Sequence, residues 1–140
     1  SRSKDYMKDN IKIFIDGACQ PNPGTGGGGI FIANENIEER ISLPLEGTVT
    51  NNIAEYQALI ICLETIIKKE LAYSNIEIFS DSQLICMQFN NKWKCKEKNL
   101  SLLLIKAQSL KKEIKSAITV NYIPRELNTI ADKLAKDAIS

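Results

Sequence analysis

At 140 residues the chain fits one domain, long enough to bury a core without disulfides or a structural metal, and its 44% hydrophobic content agrees. Eighteen Lys and Arg against seventeen Asp and Glu leave a net charge of +1, so composition alone carries no signature of a nucleic-acid binder. Histidine is absent, which excludes serine or cysteine hydrolysis through an imidazole base and histidine-ligated metal sites, and leaves carboxylates to carry the chemistry.

The first ten residues, SRSKDYMKDN, are too polar for a signal peptide and are expected to form a mobile segment ahead of a single domain over residues 11–140. Ile11, Ile13 and Ile15 alternate with Lys12, Phe14 and Asp16, the period of a strand, and Asp16-Gly17 is expected to end it. A glycine-rich turn, an apolar run at Gly29 to Ala33 and a third strand near Glu39 to Leu45 read together as an antiparallel meander. After Asn52 the period changes. Ile53, Tyr56, Ile60, Leu63 and Ile67 recur at steps of three and four, which predicts a helix to about Glu70.

Ile76, Ile78 and Ser80 alternate with Glu77 and Phe79 as a short strand, with Asp81 just past its end. Strand, helix, strand implies a parallel pair joined by a right-handed crossover. Ligands of such sheets bind beyond the carboxyl ends of the strands, where Asp16 and Asp81 would lie. A helix from about Ser82, a lysine-rich connection around Trp93, a helix over Leu100 to Lys115, a strand at Ala117 to Ile123 and a last helix from about Leu127 complete a mixed α/β chain.

Four acidic residues stand where these elements begin or end: Asp16 in IKIFIDGACQPNPG, Glu55 in TNNIAEYQAL, Asp81 in IEIFSDSQL and Asp132 in IPRELNTIADKLA. Each has an ordinary explanation. Asp16-Gly17 suits a turn, Glu55 falls three residues after Asn52 as in a capping box, and Asp81 beside Ser80 suits a helix cap. Asp132 lies four residues after Asn128, on the flank of an apolar stripe of Leu127, Ile130, Ala131, Leu134 and Ala138, and alone would pass as a solvated side chain. Gathered by the fold, and with no lysine or arginine expected among them, four carboxylates would repel one another, and divalent cations are the usual way such a cluster is held. That points to metal-dependent chemistry on phosphate.

Eight lysines and two glutamates lie between Lys92 and Lys115, a local excess of six positive charges that suits either a solvated helix face or a phosphate backbone. Trp93 among them suits stacking on a base or packing beneath a loop. Cys19, Cys62, Cys86 and Cys95 form no CxxC pair and are expected to be free thiols in a reducing cytoplasm. Gly24, Gly26 and Gly29 match GxGxxG formally, but an apolar β-like run follows them where a dinucleotide site needs a helix. No segment reaches the length of a membrane span.

Jointly and in this order, IDGACQPNPG with its following glycines, TNNIAEYQAL, SDSQ and NTIADKLA resemble the ribonuclease H type 1 family over Ile11 to Ile139. The resemblance implies a ribonuclease H-like fold, a five-stranded mixed sheet with an antiparallel meander and helices on both faces. It also implies endonucleolytic hydrolysis of the RNA strand of an RNA/DNA hybrid, leaving a 3′-hydroxyl and a 5′-phosphate. Asp16, Glu55, Asp81 and Asp132 would be the catalytic, metal-binding carboxylates. Two Mg²⁺ ions ~4 Å apart, with Mn²⁺ as the substitute ion, would flank the scissile phosphate, one lowering the pKa of the attacking water and the other stabilising the leaving oxygen. Asp16 would bridge the ions, Asp81 and Glu55 would hold the leaving-group side, and Asp132 would help hold the water-activating ion.

By the same resemblance, the backbone at Gly17 and Cys19 with Asn22, Asn51 and Gln83 would contact the RNA strand, whose 2′-hydroxyls distinguish it from DNA. Asn52 would reach toward the DNA strand, and Thr50 with Asn51 would form a phosphate pocket at a helix start, a role compatible with capping. Trp93, Arg125 and Asn128 complete the candidate substrate-binding set. Two departures from the family pattern stand out. The loop before the last helix reads YIPRELN where many members carry a mobile histidine, and Arg125 in that region stays protonated and cannot shuttle a proton. The segment Asn90 to Asn99 is short where some members carry a longer basic helix and loop, leaving Lys92, Lys94, Lys96 and Lys98 as a partial replacement. The expectation is a cytoplasmic monomer acting on RNA/DNA hybrid, with no membrane partner. A hybrid-binding module without activity, and another nuclease of the same superfold such as a junction resolvase or an integrase-like enzyme, are the alternatives.

Overall fold

The structure, a computed structural model, describes residues 9–140. Of the expected mobile segment, residues 1–8 lie outside the described residues, and Asn10 already belongs to the first strand. Strands β1 (Asn10–Gln20), β2 (Gly24–Ala33), β3 (Glu38–Val49), β4 (Asn75–Ser80) and β5 (Ala117–Tyr122) form one mixed sheet in the order β3-β2-β1-β4-β5. The first three pair antiparallel as the meander, and β1, β4 and β5 pair parallel. Helices α1 (Asn51–Lys68), α2 (Gln83–Phe89), α3 (Lys98–Lys112) and α4 (Thr129–Asp137) complete the described chain, with a 3-10 turn at Arg125–Leu127 before α4.

One sheet face is a layer of β-branched side chains. Ile11, Ile13, Ile15, Ile30, Ile32, Ile76 and Ile78 are buried, and α1 lays Tyr56, Leu59, Leu63 and Ile66 against them. Each such side chain contributes about 1.5–3 kcal/mol by leaving water. The buried Tyr56 satisfies its hydroxyl by donating to Gln88 Oε1 at 2.6 Å, which joins α1 to α2.

The opposite face is built differently. At Gly27 and Gly29 an added Cβ would run into the backbone carbonyls of Ala135 and Ala131, so α4 rests directly on the backbone of β2. The glycines therefore lie within a strand, where bare Cα atoms make a flat seat for a helix. The expected turn there is confined to the three residues between β1 and β2.

Several boundaries differ from expectation for physical reasons. β1 does not stop at Asp16-Gly17, because its antiparallel partner continues opposite it, through Gly17↔Gly28 to Gln20↔Thr25. Only the parallel ladder to β4 stops there, at Ile15↔Ser80. Helix α1 closes two residues early: Glu70 takes φ 52°, and Leu71 N–H donates to the Ile66 carbonyl at 3.1 Å, a left-handed C-terminal closure. Leu127 leaves the apolar stripe, 65% exposed in the 3-10 turn, while Ala135 joins Ala131 in the buried seam.

Candidate active site

Asp16 and Asp81 each stand one residue beyond the last β1–β4 pair, so the two strands part between them. Register puts Gly17 and Gly28 on one face, with Gly27 and Gly29 on the other. Gly17 meets α1 and the flanking glycines meet α4. The gap at the end of the ladder is therefore open to helices on both faces, and each supplies a carboxylate.

Glu55 comes from α1. A Cβ at Gly17 would collide with the Ala54 carbonyl, so glycine lets the α1 backbone touch β1. The Gly17 N–H donates to Glu55 Oε1 at 2.6 Å and lies 3.0 Å from Asp16 Oδ1, binding both carboxylates to one amide. Capping does not employ Glu55, because the cap of α1 is Thr50, whose Oγ1 accepts from Ile53 N–H at 3.2 Å. Nor does Asp81 cap α2; Ser82 does, accepting from Ile85 N–H at 3.3 Å. Both carboxylates are left to the site. Single oxygens of Asp16, Glu55 and Asp81 lie within 4.8 Å of one another.

Asp132 reaches the same groove from the first turn of α4, within hydrogen-bonding reach of Asp16, and its Oδ2 pairs with Lys136 Nζ at 3.0 Å. Arg125 lines the groove as well, and its charge favours the ionised forms of Glu55, Asp81 and Asp132. The expectation of a carboxylate cluster without basic neighbours is thus corrected. Helical spacing of four brings Lys136 back over Asp132, and the 3-10 turn presents Arg125.

Crowding shows in the proton affinities. Burial, then the charges of Glu55 and Asp81, push Asp16 up to about 10. Burial raises Glu55 to about 7 against the opposing hydrogen bonds from Asp16 and Gly17. Asp81 is raised by burial, with Asn128 and Arg125 opposing. Asp132 moves the other way: burial acts upward, but the Lys136 and Asp16 hydrogen bonds and the Lys136 and Arg125 charges outweigh it. Three crowded oxygen donors with raised proton affinity are a donor set fitted to a hard divalent cation.

Of the other sequence candidates, Gly17, Cys19, Asn51, Asn52 and Arg125 line the groove beside the four carboxylates. Cys19 Sγ donates to Asn51 Oδ1 at 3.2 Å, and Asn51 N–H donates to Asn22 Oδ1 at 3.2 Å, tying the β1–β2 turn to the start of α1. Gln83 is exposed as the first residue of α2, outside the groove lining, and Trp93, 43% exposed, lies outside it too. Asn128 is buried at 1% exposure. Its Nδ2 donates to the Ile15 carbonyl at 2.9 Å, so it fastens the start of α4 beneath Asp16 and steadies Asp81 instead of presenting itself to a ligand. Sequence reasoning missed Lys136 and Tyr122 in the groove wall; the Asp132–Lys136 spacing was the available signal for the first.

The model of the family described as reverse transcriptase-like matches residues 14–138. The chain is 40% identical over 146 aligned residues to the Ribonuclease H of Wigglesworthia glossinidia brevipalpis, covering 93% of this chain and 88% of that protein. It is 34% identical over 131 residues to the Bifunctional protein Rv2228c of Mycobacterium tuberculosis, covering 92% of this chain and 35% of that protein. The chain thus spans about a third of the length of the mycobacterial relatives it matches. Among solved structures, LC11-RNase H1 in complex with RNA/DNA hybrid is similar with a TM-score of 0.84 at 35% identity, covering 92% of this chain and 96% of that one. With a sheet of matching architecture, three converging carboxylates and these similarities, the chain belongs to the ribonuclease H family of hydrolases.

Proposed function

We propose that this protein is a metal-dependent endonuclease that hydrolyses the RNA strand of RNA/DNA hybrids, leaving a 3′-hydroxyl and a 5′-phosphate. The observation that carries the reading is the convergence of Asp16, Glu55 and Asp81 within 4.8 Å, in a groove lined by Cys19, Asn51 and Asn52. The similar LC11-RNase H1 structure holds an RNA/DNA hybrid, which supports the same substrate here. Asp16, Glu55 and Asp81, with Asp132, are the residues that would hold divalent ions. Bound Mg²⁺ or Mn²⁺ supplies a water of lowered pKa and offsets charge developing on the phosphate oxygens.

The rest falls to the chain itself. The Gly17 amide lies against both Asp16 and Glu55, a contact that favours one relative placement of the two carboxylates before substrate arrives. Asn22, Asn51 and the Cys19 backbone form the polar rim for 2′-hydroxyls, and the amides at the start of α1 beside Thr50 receive a phosphate. The Arg125 guanidinium steadies negative charge in the groove, while the proton for the leaving 3′-oxygen comes from water.

The test is cleavage of an end-labelled hybrid beside matched DNA duplex, RNA duplex and single-stranded RNA, with Mg²⁺, with Mn²⁺ and with a chelator. Metal-dependent cutting of the hybrid's RNA strand alone is expected, and Asp16→Asn should abolish it while hybrid binding persists. Unchanged cutting by Asp16→Asn would sink the site assignment. Binding without cutting under either metal would replace the enzyme by a binding module.

A further inference from the structure

We propose that Lys136 is a positioning residue that competes with a divalent cation for Asp132, so that filling this corner of the site requires an internal ion pair to open. The proposal rests on the metal-dependent reading above. Within the groove the carboxylates are not equivalent. Oxygens of Asp16, Glu55 and Asp81 form the tight set, and Asp132 stands outside it. Its Oδ2 is instead held at 3.0 Å by Lys136 Nζ, one helical turn further along α4.

Lys136 lines the same groove as the carboxylates, so its ammonium lies at the site and not on a remote face. The Asp132 side chain is 21% exposed and that of Lys136 62%, which places the lysine on the solvent side with a flexible stem and room to withdraw. An ammonium at this distance occupies the carboxylate oxygen that an incoming cation would use, and compensates the same charge. A pair this exposed is weak, which sets the scale of the competition at about two- to five-fold in cation affinity.

Helix α4 contains its own control. Lys133 pairs with Asp137 at 3.0 Å in the same i,i+4 geometry, with both side chains more than half exposed and neither lining the groove. Removing the Lys133 charge changes the net charge of the protein as much as removing that of Lys136, without touching Asp132.

The experiment is calorimetric titration of Mg²⁺, and separately Mn²⁺, into wild type, Lys136→Met and Lys133→Met at low ionic strength, repeated in an Asp132→Asn background. Thermal melts establish that each variant is folded, and hybrid cleavage against metal concentration runs beside the binding data. Lys136→Met should bind either ion about two- to five-fold more tightly and reach half-maximal cleavage at correspondingly lower metal. Lys133→Met should match wild type, and Lys136→Met should add nothing once Asp132 is Asn. Equal gains in both lysine variants, no gain in Lys136→Met, or a gain that survives Asp132→Asn would each overturn the proposal. A wild type that cuts hybrid and binds metal while the lysine variants behave alike would sink the role of Lys136 alone. A wild type that neither binds these ions nor cuts hybrid would bring down the ribonuclease H reading and the Lys136 role with it.

Discussion

Gly17 shows how much of the site depends on one missing methyl group. Its backbone touches the Ala54 carbonyl of α1, and its amide holds Glu55 at 2.6 Å. Gly17→Ala should lower stability by about 1–3 kcal/mol in urea denaturation, by the cost of overpacking, and should reduce kcat by displacing Glu55. The carboxylates make a second prediction, with a definite sign. A carboxyl raised in the folded state stabilises the fold while it is protonated, and that contribution is lost as pH climbs through the folded value. For Glu55 the loss runs from its ordinary range near 4 up to about 7, and for Asp16 on to about 10. In chelator, stability should therefore fall between pH 5 and pH 8. Mg²⁺ should restore it, and Asp16→Asn should raise metal-free stability at pH 8 by about 1–3 kcal/mol, all readable by chemical denaturation. Asp132, lowered, contributes oppositely and loses its share as pH falls. The four carboxylates were legible in the sequence through the joint occurrence and order of their contexts, not through any one of them, since Asp132 alone would pass as a solvated side chain. Asn128 was not, since nothing in NTIADKLA shows that its amide turns inward to the Ile15 carbonyl.

Strand and helix types could be read from periodicity, but their ends were set by partners distant in sequence. β1 outlives its apolar alternation because β2 continues to pair with it, and no local signal in Gly17-Ala18-Cys19-Gln20 announces that. The β2 glycines before Gly29 looked like a turn, and the use of Gly27 and Gly29 as a seat became visible only with Ala135 and Ala131 lying on them. Gly29→Val should push α4 off the sheet and carry Asp132 with it. A loss of about 3 kcal/mol or more in denaturation, with loss of cleavage, is the expected result. At the far end of α1 the left-handed Glu70 predicts the reverse effect: Glu70→Gly should stabilise by about 1 kcal/mol in the same assay.

Across the whole molecule, charge is distributed against the near-zero total. The Lys92–Lys115 stretch keeps all eight lysines exposed, while the groove is lined by four carboxylates and none of those lysines. Replacing Lys92, Lys94, Lys96 and Lys98 by Ala should weaken hybrid binding and flatten the slope of log affinity against log salt by about 0.9 for each phosphate no longer neutralised. Unchanged slopes would leave the stretch as a solvated surface. Among the described residues no helix is long and apolar enough to cross a membrane.

The hydrogen bond from Asn128 to Ile15 closes a loop of 113 residues. Closing so long a loop costs entropy, so this bond is expected to form late, after the sheet between its ends. The fourth carboxylate rides on the helix that this bond anchors, so a chain folded up to β5 is expected to gather Asp16, Glu55 and Asp81 and still lack Asp132. The centre has no rehearsal in any shorter piece: catalytic competence should appear only when the two ends of the domain have met.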